Sequence, residues 1–141
     1  MNTSLKLLIY EHPAVTPVIL DFLQNLKIDG FEYEIEPVVV QTLEQANEMI
    51  RVADIALIDI GIAERIHFGV KTFKKFQIPI IFTSALPAHQ KLRDNVMLGF
   101  ISKPQYDLGK MEADLRRFSE LALNNRHNLE NPEDGAQAFA M

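Results

Sequence analysis

Short apolar runs alternate with amphipathic stretches along this chain, and most runs close on a turn residue. Residues 5–10 (Leu-Lys-Leu-Leu-Ile-Tyr) form the first run and lead into Glu11-His12-Pro13. A run this short and this apolar is the pattern of a strand buried on both faces of a parallel sheet. A helix follows, with Thr16 as its cap, Pro17 at the first helical position, and Val18, Ile19, Phe22, Leu23 and Leu26 along one stripe. Gly30 ends that unit. Residues 33–40 alternate early and turn apolar late, which suits a second strand, and Pro37 puts that strand at an edge or a bulge. Thr42 and Gln45 have the spacing of a capping box, which predicts a helix through Val52.

The next run, residues 53–60, reads Ala-Asp-Ile-Ala-Leu-Ile-Asp-Ile and stops at Gly61. Asp59 therefore stands at the C-terminal end of a third buried strand. Val70, Phe73 and Phe76 predict a short third helix, and residues 79–83 a fourth strand. Residues 86–99 are weakly helical, with Leu92, Val96 and Met97 inward, and residues 100–102 are the centre of a fifth strand. The best amphipathic helix comes last: Asp107 as cap, then Leu108, Met111, Leu115, Phe118 and Ala122 on one face. Past residue 125 the pattern dissolves into a polar stretch that is not expected to fold. Five βα units in alternation predict an α/β fold: a doubly wound, five-stranded parallel sheet with helices on both faces. The expected division is one domain over residues 1–125 and a polar tail over 126–141.

Composition narrows the functional classes. The 141 residues fit one domain, and a hydrophobic fraction of 48% supplies one core. No window is long and apolar enough to span a bilayer, and the N-terminus lacks a signal-peptide layout, so a cytoplasmic protein without membrane contact is expected. Cysteine is absent, which removes disulfides and thiolate metal sites. A net charge of −5 argues against direct nucleic-acid binding. No glycine-rich phosphate loop follows the first strand, which counts against a nucleotide-using enzyme and against flavin binding.

The candidate chemistry sits where the strands end, the edge at which open α/β sheets bind ligands. The first strand delivers Glu11 and His12, the third Asp59, the fourth Thr83 and Ser84, and the fifth Lys103 followed by Pro104. Each has an ordinary explanation alone: Asp59 as a helix cap, Glu11 as a solvated loop acid, Ser84 as a turn former, Lys103 as a surface lysine. Converging on one edge, two acids, an imidazole, a hydroxyl and an ammonium form a constellation.

That constellation resembles the receiver domain of two-component response regulators, over residues from about 5 to 123. The fold implied is of the flavodoxin-like type, in agreement with the alternation. In that family an Asp ending the third strand accepts a phosphoryl group, which implies Asp59. A hydroxyl residue followed by Ala matches Thr83-Ser84-Ala85, with Ser84 the better fit, and the Gly-aromatic-x-x-Lys-Pro signature matches Gly99-Phe100-Ile101-Ser102-Lys103-Pro104. The resemblance implies that Lys103 pairs with Asp59 and then with the phosphoryl group, that Ser84 donates to a phosphoryl oxygen, and that the Phe100 rotamer reports the state. It implies a cis bond before Pro104, and a divalent cation, Mg²⁺, on Glu11, the residue at position 12, Asp59 and the Gly61 backbone. The partners implied are a histidine kinase or phosphotransfer protein, a downstream protein, and a homodimer through the fourth helix, fifth strand and fifth helix, where Arg116, Arg117 and Glu120 are expected to point outward.

Two departures accompany the matches. The family's first strand ends in two acids, whereas here His12 stands in the second place. Mg²⁺ demands hard oxygen ligands, and an imidazole suits Mn²⁺ or another transition metal better. His12 thus weakens the cation site, redirects it to another ion, or marks it as abandoned. The loop Gly61-Ile62-Ala63 and the stretch from 84 to 103 also differ from the family. Two functions follow as expectations. One is a stand-alone receiver, not an enzyme, accepting a phosphoryl group on Asp59 and signalling through protein contacts, since the tail is too short and polar for an output domain. The other is a pseudo-receiver acting as a phosphorylation-independent interaction or dimerisation module.

Overall fold

The computed structural model describes residues 4–59, 78–84, 98–102 and 107–130. Its strands are β1 (Ser4–Tyr10), β2 (Glu34–Val39), β3 (Ile55–Asp59), β4 (Ile80–Ser84) and β5 (Leu98–Ser102). They form one five-stranded sheet in the order β2-β1-β3-β4-β5, and all pairs are parallel. The helices described are α1 (Thr16–Ile28), α2 (Leu43–Met49) and a C-terminal helix (Leu108–Glu130), with a 3₁₀ turn at Ile50–Val52. The expected third helix (Val70, Phe73, Phe76) and the weak helix over 86–99 lie outside the described residues.

Pleating sorts the strand residues into two layers, because successive side chains point to opposite faces. Leu5, Leu7, Ile9, Ile55, Leu57, Ile81 and Ile101 pack on one face against Ile19, Phe22, Leu23 and Leu26 of α1 and Met111, Leu115, Phe118 and Ala122 of the C-terminal helix. Leu8, Tyr10, Ala56, Ile58, Ile80 and Phe82 pack on the other, with Ala46 and Met49 of α2. Each Leu, Ile, Phe or Met side chain in these layers contributes about 1.5–3 kcal/mol of burial. Every residue of β3 is buried, as a strand covered on both faces requires. The doubly wound α/β sheet with helices on both faces is the observed fold.

Edge placement of β2 explains Pro37. The Val40 N–H donates to the Ile9 carbonyl at 3.0 Å, so even-numbered amides of β2 turn toward β1 and odd-numbered ones toward the open edge. Pro37, with no N–H to give, occupies an outward position where no ladder bond is lost. At the end of α1, Gly30 takes φ 84°, a conformation open to glycine without a Cβ penalty. The N–H groups of Gly30 and Phe31 then return to the carbonyls of Lys27 (3.2 Å) and Leu26 (3.0 Å), the paired bonds of a Schellman stop.

Several local expectations are corrected. Thr16 does not cap α1: Val15 is the cap residue, and the Thr16 hydroxyl instead donates to the His12 carbonyl at 3.1 Å. Val18 and Leu108, expected on inward stripes, are exposed, at 47% and 45%. The helix after Thr42 is α-helical to Met49 and reaches Val52 as a 3₁₀ turn, and its cap forms, with the Gln45 N–H on Thr42 Oγ1 at 3.2 Å. The C-terminal helix starts at its expected cap, the Lys110 N–H donating to Asp107 Oδ1 at 3.0 Å, and runs to Glu130.

Arg116 and Glu120 are turned toward the corner between α1 and β2. Arg116 pairs with Glu32 and lies 5.4 Å from the Phe31 ring centroid, and the Tyr33 hydroxyl donates to Glu120 at 3.3 Å. Arg117 remains on the outer side, bonded to Asp114 at 3.1 Å.

Candidate functional site

Register builds the site. Tyr10 pairs with Ile58 and Asp59 with Thr83, so Glu11, one step beyond Tyr10, stands level with Asp59. Glu11, Asp59 and Thr83 thus form a polar row across three neighbouring strands. It continues the apolar row of Ile9, Leu57 and Ile81 on the face covered by α1 and the C-terminal helix. All three are buried, Glu11 at 4% exposure, Asp59 at 5% and Thr83 at 0%. Buried carboxylates and hydroxyls must be satisfied by partners, because an unpaired one carries the full cost of lost hydration.

Those partners are specific. The Thr83 hydroxyl, two strands away, donates to Glu11 Oε2. The His12 backbone N–H donates to Glu11 Oε1 at 3.0 Å. Both oxygens of Glu11 therefore hold a fixed partner, and the carboxyl group is fixed with them. The His12 carbonyl accepts from the N–H groups of Val15 (2.9 Å) and Thr16 (3.0 Å) as well as the Thr16 hydroxyl, so the first turn of α1 fixes the backbone that carries the imidazole. Nε2 of His12 then stands 3.8 Å from Asp59 Oδ1, on a side chain 57% exposed. That is too long for a hydrogen bond. It is an ion pair when the imidazole carries both protons.

Ser84 is buried, but its pleat places it on the opposite face from Asp59 and Thr83, in the row of Ile80 and Phe82. The backbone of Phe100 pairs with Phe82 in β5, while its side chain, together with Gly61, Lys103 and Pro104, lies outside the described residues. So the structure brings Glu11, His12 and Asp59 together, adds Thr83, and sets Ser84 on the alternate row. Thr83 is the residue that the sequence reading underweighted. Strand alternation held the signal: counting in twos from Ile81 puts Thr83, not Ser84, on Asp59's face.

Among the described residues, the donors at this edge are two carboxylates and an imidazole. Among the described residues no group of three or more His, Asp or Glu side chains is clustered to hold a metal ion. Glu11, the one hard-oxygen donor beside Asp59 in this row, is turned to Thr83 and to its own neighbour's amide, and position 12 offers nitrogen. Mg²⁺ is held by one or two carboxylates and fills the rest of its octahedron with water, so Glu11 and Asp59 are the carboxylates this row would offer it. A cavity of about 1130 Å³ lies elsewhere, between α1, the start of β2 and Leu123 of the C-terminal helix. Its walls are Leu23, Phe31, Tyr33, Ile35 and Pro37, among others, and none of the strand-end groups reaches it.

No protein-family model matches the sequence, and no curated protein sequence matches it. Solved structures do. The chain is similar to the REC domain of the PhyR response regulator of Erythrobacter litoralis, with 19% identity and a TM-score of 0.56, over 84% of this chain and 91% of that one. It is similar to a PhyR stress response regulator at 20% identity and a TM-score of 0.57, over 83% of this chain and 45% of that longer protein. A two component transcriptional regulator AraC from Clostridium phytofermentans ISDg matches at 16% identity and a TM-score of 0.61, over 88% of this chain and 98% of that one. The chain has the fold of a response-regulator receiver domain.

Proposed function

We propose that this chain is a receiver-type signalling module that acts through contacts with other proteins, and in which phosphoryl transfer to Asp59 is slow or lost. The observation that carries the reading is the commitment of Glu11 to Thr83 and to the His12 amide. Phosphoryl transfer needs its developing charge neutralised at the reacting oxygens. In this row the groups that would provide that are turned inward or replaced by an imidazole. The partners proposed are a histidine kinase or phosphotransfer protein on the input side and a downstream protein on the output side, in the cytoplasm.

A second reading is the working phosphoacceptor, and the position of Asp59 favours it. A carboxylate at the end of β3, buried yet beside an exposed imidazole, is set for attack on a phosphorus atom brought to that edge. Its oxygen would form a bond to phosphorus as the donor's oxygen or nitrogen leaves, giving a mixed anhydride. Lys103 and Ser84 would assist as the resemblance implies.

Incubation with a small acyl phosphate and Mg²⁺, read by mass spectrometry, separates the two. The expected result is little or no label on the native protein. More label is expected with Mn²⁺, and more again in His12→Asp, which supplies a hard oxygen. Asp59→Asn should abolish whatever label appears. Rapid Mg²⁺-dependent labelling of native Asp59 would establish the second reading.

A further inference from the structure

We propose that the cavity between α1 and β2 is a docking groove for a basic amphipathic helix of a partner protein, which rests on the protein-contact reading above and not on the fate of Asp59. The groove holds about 1130 Å³. One wall is the flank of α1 that carries Leu20, Gln24 and Lys27, spaced a helical turn apart. The other is the face of β2 that carries Tyr33, Ile35 and Pro37, which share a side of the strand by pleating. Leu20 is 36% exposed and Ile35 half-buried, so apolar surface stays open to water. Both walls run for about 10–13 Å, the length of two helical turns.

The strand edge and the charges select the occupant. An extended segment would have to add to the open edge of β2, where Pro37 interrupts the outward donors, so packing in the groove is favoured over strand addition. Residues 31–36 read Phe-Glu-Tyr-Glu-Ile-Glu, and all six line the groove. Glu34 and Glu36 alternate onto the other face of the strand, and the edge position of β2 leaves both exposed at the rim. Glu32 pairs with Arg116 and Glu120 holds the Tyr33 hydroxyl, whereas among the described residues Glu34 and Glu36 form no ion pair. On the walls or bonded to them stand these four carboxylates against two cations, Lys27 and Arg116. Lys6, level with Glu36 on β1, is not on the wall. The excess is negative and steers cations toward the rim. A helix that sets apolar side chains between the walls and lysines or arginines along the rim meets both demands.

The test uses the whole chain and two short synthetic helical peptides of matched leucine spacing, one with lysine and one with glutamate at its polar positions. Binding is measured by calorimetry and located by the backbone amide NMR signals of Tyr33, Ile35 and Leu123. The lysine peptide is expected to shift these amides saturably and to bind about tenfold tighter or more than the glutamate peptide. Glu34→Gln combined with Glu36→Gln should shrink that preference, and Leu20→Gln should weaken the lysine peptide by about tenfold. Val52→Gln, as open to solvent but off the groove, should bind as native. Circular dichroism checks each fold, and Leu20→Ala replaces Leu20→Gln should the latter not fold. No binding, equal binding of both peptides, equal binding of oligolysine, or binding that loss of Leu20 leaves unchanged overturns the proposal. So do concentration-dependent shifts of the same amides without peptide, which would make a second copy the occupant. Those outcomes are distinct from a failure of the reading of Asp59, which would appear as rapid labelling of the native protein.

Discussion

Thr83 and Ser119 both bury their hydroxyls completely, yet the sheet edge and the C-terminal helix treat them differently. Thr83 donates to a buried carboxylate two strands away. Ser119 Oγ, on the helix that covers the same face of the sheet, finds no hydrogen-bond partner among the described residues. The same chemical group is thus part of a bonded polar row in one region and a bare cost in the other. A third case lies in the open, where the Tyr33 hydroxyl meets Glu120 beside the Arg116–Glu32 pair. Burial and partnership together, not residue type, decide what such a contact does.

The largest effect in this comparison is expected at the sheet edge. Thr83→Val leaves the Glu11 carboxylate without one of its partners and should lower unfolding free energy by about 1–3 kcal/mol in chemical denaturation. Thr83→Ser should recover most of the loss. A change of a few tenths would show that water or another group replaces the hydroxyl, and would weaken the contrast with the helix. Next comes Ser119→Ala, which removes an unsatisfied donor and substitutes a better helix former, so stability should rise by up to about 1 kcal/mol. A clear loss would mean that Ser119 has a partner after all.

Arg116→Ala is expected to have the smallest effect. The Arg116 hydrogen bond is the main cause that holds the Glu32 carboxyl below its ordinary value. A carboxylate with a depressed folded-state value contributes stability above its unfolded value and loses it as pH falls through the folded one. The variant should therefore show a slightly flatter acid limb of stability against pH, and added salt should shrink even that difference, because both partners face water. An acid limb unchanged by the variant would show that this pair does not contribute to folding.

Much of the fold was legible because strand burial writes itself plainly. Runs such as Ile-Ala-Leu-Ile in β3 have few other readings at that length, and Pro37 marked the edge strand through its missing donor. Asp107 and Gly30 announced a helix start and a helix stop by their local chemistry. Helical stripes were less reliable at their ends. A periodicity gives a direction around the helix, not whether another element lies opposite, and so Val18 and Leu108 emerged exposed. Thr16 misled for a related reason: a hydroxyl in the first turn can bond the carbonyl behind it as readily as the amides ahead.

The candidate site was legible as a set of strand ends and not as a set of bonds. Asp59, Glu11 and His12 were readable because each directly ends or follows an apolar run. The Thr83–Glu11 bond joins residues 72 positions apart on strands that are not neighbours. No spacing rule reaches that far. Only the sheet order, with β3 between β1 and β4, brings them together across Asp59. The family's hydroxyl-Ala pattern points to Ser84, while alternation along β4 sets Thr83 on the face of Glu11 and Asp59.

In the proposed reading the Glu11 carboxylate stays with Thr83 and the His12 amide, and the sheet edge takes up no Mg²⁺. A Mg²⁺ titration of the native protein, followed through the backbone amide NMR signals of His12 and Asp59, tests it most directly. Each of these amides belongs to the polar row or holds it, so a cation seated there would shift both. The account predicts no saturable shift at either amide as Mg²⁺ rises through the millimolar range. Saturable shifts of both, lost in Asp59→Asn, would contradict it.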